Sequence, residues 1–552
     1  MQMQSRIAQS MFDTAYAPIR GAYSWMLEKH QTTWWIPSPL QFITGIIAAV
    51  VLLPMVYLGV RAFETGGEGI DYLLNERTLG VIANSIVLMI AVVVAAAVIG
   101  VPFAWLTTRS NLPFRRFWLA AGLLTMVIPS YIGAMMYIAA FGPRGLIQQA
   151  LEPLGVTQLP SIYGFFGAWL AITLFTYPYV VLPVRAALLN LDPALEESAR
   201  SLGLSRWKVF RRVTLPSLRP ALAAGMLLTA LYTLSDFGAV ALMRYDAFTR
   251  VIYYQYTNSF DRSRAAILAL VLVALTVVLL VIERRAAAQS RNYRAGTGCQ
   301  RKPRPVSLGK WKIPALIFCA ALVGVGVATP VGILLVWLVR GMSTGVEMEV
   351  LTQPALNTVF ASVIAAVVVG MAAFPPALLA TRAPTRLNRW LVQLTYLGNV
   401  LPGLVVALAF VFFSSRYLPE LYQTLPILVL GYATRFLPLG IGATRSALTQ
   451  INPRCEEAGR SLGLRGWQVT LRVTVPLARA GVLGGVALVF LSVMKELPTT
   501  LLLAPTGFNT LPVEIWMSNS EARFAQVGAP ALLLMLVSAC SLYFMLKNQS
   551  AD

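Results

Sequence analysis

Apolar residues in this chain form long unbroken runs, without the two-residue alternation of a half-buried strand or the single stripe of a surface helix. Twelve runs of about 20 residues, the length that carries a helix across a hydrocarbon core, occupy 41–60, 79–106, 117–141, 162–188, 221–243, 265–282, 313–338, 357–380, 390–413, 425–443, 482–503 and 527–546. Such runs are too long and continuous for the strands of a membrane barrel. The pattern predicts an all-α polytopic membrane protein with about 12 transmembrane helices.

Composition agrees: 57% of the 552 residues are hydrophobic and 12% charged, against about 45–50% and 25% for a soluble domain. Residues 1–40 are mixed and polar, and the first apolar run exceeds the core of a cleavable signal, so this cytoplasmic N-terminal extension is expected to stay with the protein. Its Tyr23, Trp25, Lys29, Trp34 and Trp35 suit either an interfacial segment or a plain solvated extension.

A net charge of +21 would suggest nucleic acid in a soluble protein, but here the basic residues lie between spans. Arg109, Arg115 and Arg116 follow the second span, Arg382, Arg386 and Arg389 the eighth, and a basic linker at 283–312 follows the sixth. These are the loops after even-numbered spans, which places them, and both termini, on the cytoplasmic side of the membrane. Arg244, Arg250, Arg262 and Arg264 after the fifth span break the pattern without reversing a statistical bias. The partner implied is the lipid bilayer, with no nucleic acid.

Cysteines 299, 319, 455 and 540 lie in the linker, in spans or in a cytoplasmic loop, so no disulfide is expected. A single histidine, His30, leaves no His/Cys cluster for zinc, copper or haem, and no cofactor is expected on this chain.

One polar segment occurs twice. At an offset of 260 positions, as between Pro193 and Pro453, identical pairs include Glu196/Glu456, Glu197/Glu457, Arg200/Arg460, Gly203/Gly463, Trp207/Trp467, Thr214/Thr474 and Pro216/Pro476. A weaker echo upstream, at an offset of 273, pairs Asn84/Asn357, Pro102/Pro375, Thr108/Thr381, Arg109/Arg382 and Pro129/Pro402. The two offsets fit a shorter outer connection in the second copy. Two six-span halves are therefore expected: 41–282 with its loop at 191–222, and 313–546 with its loop at 451–482, followed by a tail at 547–552. An even number of spans gives both halves the same orientation, so both loops face the cytoplasm.

Within the loop, Asp192 and Asn452 are good N-caps with Pro193 and Pro453 at the first helical position. Glu196, Glu197, Glu456 and Glu457 suit the positive end of the helix dipole, and Gly203 and Gly463 suit a left-handed C′ residue. A second short amphipathic helix is expected before Pro216 and Pro476. Orientation requires only Lys and Arg, so repeated Glu, Gly, Trp and Pro imply a shaped surface with a partner.

The segment resembles the EAA loop of ATP-driven (ABC) importer permeases, whose glutamate-alanine helix, glycine and proline form the coupling helix that docks on an ATPase subunit. The small residues after the glutamates are Ser198 and Ala199 in one copy and Ala458 and Gly459 in the other. The resemblance implies docking through Glu196, Gly203, Glu456 and Gly463, with Glu197, Ala199, Pro216, Glu457 and Pro476 in the coupling surface. No phosphate-cradling G-x-x-x-x-G-K-[ST] sequence is present, and Gly309-Lys310 is followed by Trp311. ATP is therefore expected to be used by two copies of a separate ATPase subunit; this chain is a transport channel, not an enzyme.

Asp236, Lys495 and Glu496 stand out in apolar sequence, where a charge is costly. Asp236 and Glu496 match at the 260 offset, so they are either a pore or gate pair or acids satisfied by neighbouring helices. Around them, Ser235-Asp236-Phe237-Gly238 and Lys495-Glu496-Leu497-Pro498 resemble the ferric-iron class of these permeases. Fused thiamine permeases share the layout and an Asp-Phe-Gly segment; the Lys-Glu-Leu-Pro stretch favours iron. The resemblance implies a periplasmic binding protein that delivers the cargo and supplies most of the selectivity. An ion-coupled secondary transporter is the rival from another class.

Overall fold

The computed structural model describes residues 38–64, 67–143, 145–156, 158–258, 262–289, 305–343, 349–399 and 401–549. Most of the N-terminal extension, half of the basic linker and the end of the tail lie outside these residues. Among the described residues the β pairing is one isolated parallel bridge, Ser110 to Val306, and nine helices are long and apolar enough to cross a membrane. Two further expected spans are helix pairs bent by 100° and 98°, and the last corresponds to the helix Phe524–Gln549.

The spans expected at 117–141 and 390–413 are each sharply bent, and proline explains both. The first bend separates Arg115–Val127 from Ser130–Leu154, and the second Arg386–Gly398 from Gly403–Tyr417. Pro129 and Pro402 stand immediately before the second helix of each pair, with ψ of 142° and 144°. A proline excludes the residue before it from the α region, and Ile128 is extended accordingly. The Pro129/Pro402 echo is thus one backbone break made twice.

A correction concerns the fifth and eleventh expected spans. The helix Leu215–Ser235 stops at Asp236 and a short helix, Gly238–Leu242, follows; Val475–Met494 stops before Lys495 and is followed by Pro498–Leu503. The intramembrane charges stand at helix breaks and not within continuous helices.

By packing the chain forms two compact units, most of whose borders fall inside helices and which do not follow the repeated halves. The unit of 1–53, 363–399 and 433–490 closes through small residues. A Cβ at Gly440 would lie 2.8 Å from Val369 Cγ1, and one at Gly481 2.4 Å from Ala447 Cβ. The unit of 54–362, 400–432 and 491–552 packs Gly100 and Gly225 onto Val180, joining the helices Glu76–Arg109, Phe165–Asn190 and Leu215–Ser235. In this unit the Asn84/Asn357 echo also has a local cause. Asn84 Nδ2 donates to the Asp246 carbonyl at 3.3 Å and Asn357 Nδ2 to the Asn509 carbonyl at 2.9 Å, each steadying the chain before the next helix.

Candidate functional site

The two copies of the loop fold alike from the same local chemistry. Asp192 accepts from the Ala194 N–H at 2.9 Å and Asn452 from the Arg454 N–H at 3.0 Å, opening the helices Pro193–Ser201 and Pro453–Ser461. Gly203 and Gly463 both have φ of +84°. The Gly203 N–H donates to Arg200 and the Leu204 N–H to Ala199, with the same bonds from Gly463 to Arg460 and Leu464 to Gly459. This is a Schellman termination, which only a residue at ease in the left-handed region makes without strain.

The expected separate second helix is absent. The chain re-enters a helix at Arg206–Val209 or Gly466–Val469, and each continues into the following span. Pro216 and Pro476 are absorbed by one π-turn in each copy, Phe210–Thr214 and Thr470–Thr474. A proline inside a helix lacks an N–H and crowds the carbonyl four residues back, and widening the preceding turn relieves both problems.

Residues of the loop divide into two faces. Glu197, Glu457, Arg200 and Arg460 are exposed, as are Leu202 and Leu462 at 82% and 84% and the indoles of Trp207 and Trp467. Ala199 and Gly459 are buried beneath the helix, where larger side chains would lift it from the bundle.

Glu196 and Glu456 point inward. Arg109 Nη2 lies 2.6 Å from Glu196 Oε2, and the Thr214 hydroxyl donates to Glu196 Oε1 at 2.7 Å. In the other copy Arg382 Nε donates to Glu456 Oε1 at 3.0 Å and the Thr474 hydroxyl to the same oxygen at 3.1 Å. Both arginines are the last residue of a long helix, Glu76–Arg109 or Glu349–Arg382. Charge counting assigned them only an orienting role; their appearance in the weaker echo, and that of Thr214/Thr474 in the loop, was the available signal.

The intramembrane acids are also satisfied locally. Asp236 accepts from the Ala239 N–H at 2.9 Å and from the Ser130 hydroxyl, while the Thr249 hydroxyl donates to its backbone carbonyl at 2.6 Å. Glu496 accepts from the Thr499 N–H at 3.3 Å and hydroxyl at 2.7 Å, and that hydroxyl is also 3.4 Å from the Gly403 carbonyl. Each acid caps the short helix after its break; Asp236 also meets Ser130, the residue after the first bend-forming proline, whereas Gly403, the residue after the second, meets the Thr499 hydroxyl that bonds Glu496. Lys495 Nζ donates to the Met126 carbonyl at 3.4 Å, in the 3-10 turn before the first bend. Among the described residues no group of three or more His, Cys, Asp or Glu side chains is gathered.

The sequence model of the family described as the binding-protein-dependent transport system inner membrane component matches residues 96–292 and 371–549. The chain belongs to this family. Each matched segment contains one loop, one Arg–Glu pair and one capped acid, so two permease units of the family are fused in one multi-pass membrane protein. A Fe(3+)-transport system permease protein of Haemophilus influenzae is 30% identical over 93% of this chain and 98% of its own length. A putative ferric transport system permease protein of the same organism is 24% identical over 84% of this chain and 78% of its own length. A probable molybdenum ABC transporter permease of Haloferax volcanii is 30% identical, but 45% of this chain covers 91% of it. That permease corresponds to a single unit.

Proposed function

We propose that this chain is the membrane permease of an ATP-driven importer of ferric iron, with cargo delivered by a periplasmic binding protein and force supplied by two copies of a separate ATPase subunit. The observation that carries the cargo is the near full-length similarity to the Fe(3+)-transport permease, which includes both fused units. Membership in a binding-protein-dependent family supports delivery by a partner on the outer side. The paired loops support the drive: each presents a polar helix edge beside an exposed Leu and Trp, a surface suited to a cleft in a protein.

In this reading the loops face the cytoplasm, along with both termini. Closure of the ATPase dimer on ATP draws the two coupling helices together, the channel opens outward to receive iron from the binding protein, and hydrolysis returns it to the inward state. Exposed Glu197, Glu457, Leu202, Leu462, Trp207 and Trp467 make the docking contact; Gly203 and Gly463 set its shape. Glu196 and Glu456 act from beneath.

The test is uptake of radiolabelled Fe(III) by proteoliposomes holding the chain with its ATPase and binding protein. Iron uptake that requires ATP and all three components is expected. ATP-dependent uptake of thiamine, molybdate or sulfate without iron would overturn the cargo. Uptake sustained by an ion gradient without the ATPase would overturn the class.

A further inference from the structure

We infer that Arg109 and Arg382 are positioning residues of the drive: each locks its coupling helix to the end of a membrane helix through an inward-facing carboxylate, so that loop and bundle move together. This rests on the importer reading.

A residue serving only topology would leave its charge in water. Arg109 and Arg382 are instead 3% and 9% exposed, and each meets the glutamate of its own loop. The carboxylate is shared. Glu196 and Glu456 also take the hydroxyl of Thr214 or Thr474, which stands in the π-turn that opens the next span. One carboxylate thus joins the end of the second span of each half, the coupling helix and the start of the span after it. In the second copy Arg382 Nη2 reaches further, to the carbonyls of Leu448 at 3.2 Å and Ile451 at 3.4 Å, where the preceding helix ends. In the first copy Arg109 Nη1 has no hydrogen-bond partner, and the linker contributes through the Val306 N–H, which donates to the Arg109 carbonyl at 2.7 Å.

The repeat carries the same conclusion. Arg109/Arg382 recurs at an offset of 273 and the Glu and Thr partners at 260, so the length change between the halves falls inside each cluster's sequence span. The cluster is nevertheless rebuilt in both. Without it the coupling helix would be joined to the bundle by short turns at 191–192 and 202–205, and at 451–452 and 462–465, and the helix could tilt under load without moving the spans.

The test compares Arg382→Gln, Glu456→Gln and the double variant in the reconstituted importer, measuring ATPase co-purification and cargo taken up per ATP hydrolysed. Each single variant is expected to keep the ATPase and lose about tenfold in uptake per ATP, within the usual range of a coupling free energy. The double variant is expected to be no worse than either single one. Unchanged uptake per ATP in the single variants, or losses that multiply in the double variant, would overturn the assignment. Loss of co-purification would overturn it too, making these residues docking contacts. Should the arginine variant fail to insert, Thr474→Val, which removes only a hydroxyl, must still lower uptake per ATP. Wild-type ATP-driven uptake is the reference, so failure of the importer reading appears there before any variant is compared.

Discussion

Arg109 and Glu196 are 87 residues apart in the chain, yet their side chains meet at 2.6 Å with the guanidinium buried. An ion pair so placed gains Coulomb energy in a medium poorer than water but loses hydration, and its net worth is small; breaking it on one side is what costs. Arg109→Met leaves the half-buried Glu196 carboxylate with the Thr214 hydroxyl alone and is expected to destabilise the protein by about 1–3 kcal/mol. Adding Glu196→Leu should recover most of that loss. Thermal unfolding of the purified chain in detergent checks both, and a double variant less stable than Arg109→Met would contradict the pairing.

Gly203 and Gly463 have open space where a Cβ would project, so their requirement is conformational and not steric. At φ of +84° a β-branched residue is strongly disfavoured, whereas asparagine is tolerated. Gly203→Val with Gly463→Val should distort both terminations and abolish ATPase co-purification, with membrane insertion intact. Gly203→Asn with Gly463→Asn should retain most of it. Equal behaviour of the two double variants in a pull-down would remove the left-handed cap from the explanation.

Cys455 is a free, exposed thiol on the second coupling helix. In a chain carrying Cys299→Ser, a membrane-impermeant maleimide applied from the cytoplasmic side should label Cys455, and bound ATPase should slow the reaction by about an order of magnitude or more through loss of access. Equal labelling rates with and without the ATPase would place the docking surface elsewhere.

Asp236 and Glu496 separate two roles cleanly. As caps they need an acceptor oxygen, which an amide also provides; as pore charges they need the charge itself. Asp236→Asn is therefore expected to keep most transport, while Asp236→Ala, which leaves the Ala239 N–H and Ser130 without their acceptor, costs about 0.5–2 kcal/mol of stability through the cap alone. Uptake assays and melting curves on both variants, with Glu496→Gln beside them, give the answer; Asp236→Asn as inactive as Asp236→Ala would restore the charge to the mechanism.

Much of the molecule was legible along the chain because its causes are local. Lipid demands long apolar helices, so the spans were readable from run length, and a duplicated pattern of cap, acid pair and glycine revealed two equivalent loops before any contact was known. Asp192, Gly203 and their counterparts act on backbone groups a few residues away, and sequence spacing is enough to specify that. The proline echo was visible as well, although its meaning was not: an apolar run reads the same whether the helix is straight or turns through about 100°, and hydropathy carries no direction.

Tertiary structure alone decided which side of the loop faces the bundle. Glu196 and Glu197 are neighbours of one type in sequence, yet a helix turns successive residues about 100° apart, so one is held by Arg109 and the other faces outward. The arginines were counted as topogenic charges because positive-inside bias is a sum over loops and cannot distinguish a solvated cation from a buried one. The intramembrane acids likewise showed their cost in sequence but not what offsets it, since Ser130 reaches Asp236, and Gly403 the Thr499 hydroxyl beside Glu496, only after the chain has bent at Pro129 and Pro402. Local chemistry therefore determined the elements and their duplication; which polar groups satisfy one another was decided by folding, because a buried charge is stabilised by whatever the packing brings beside it.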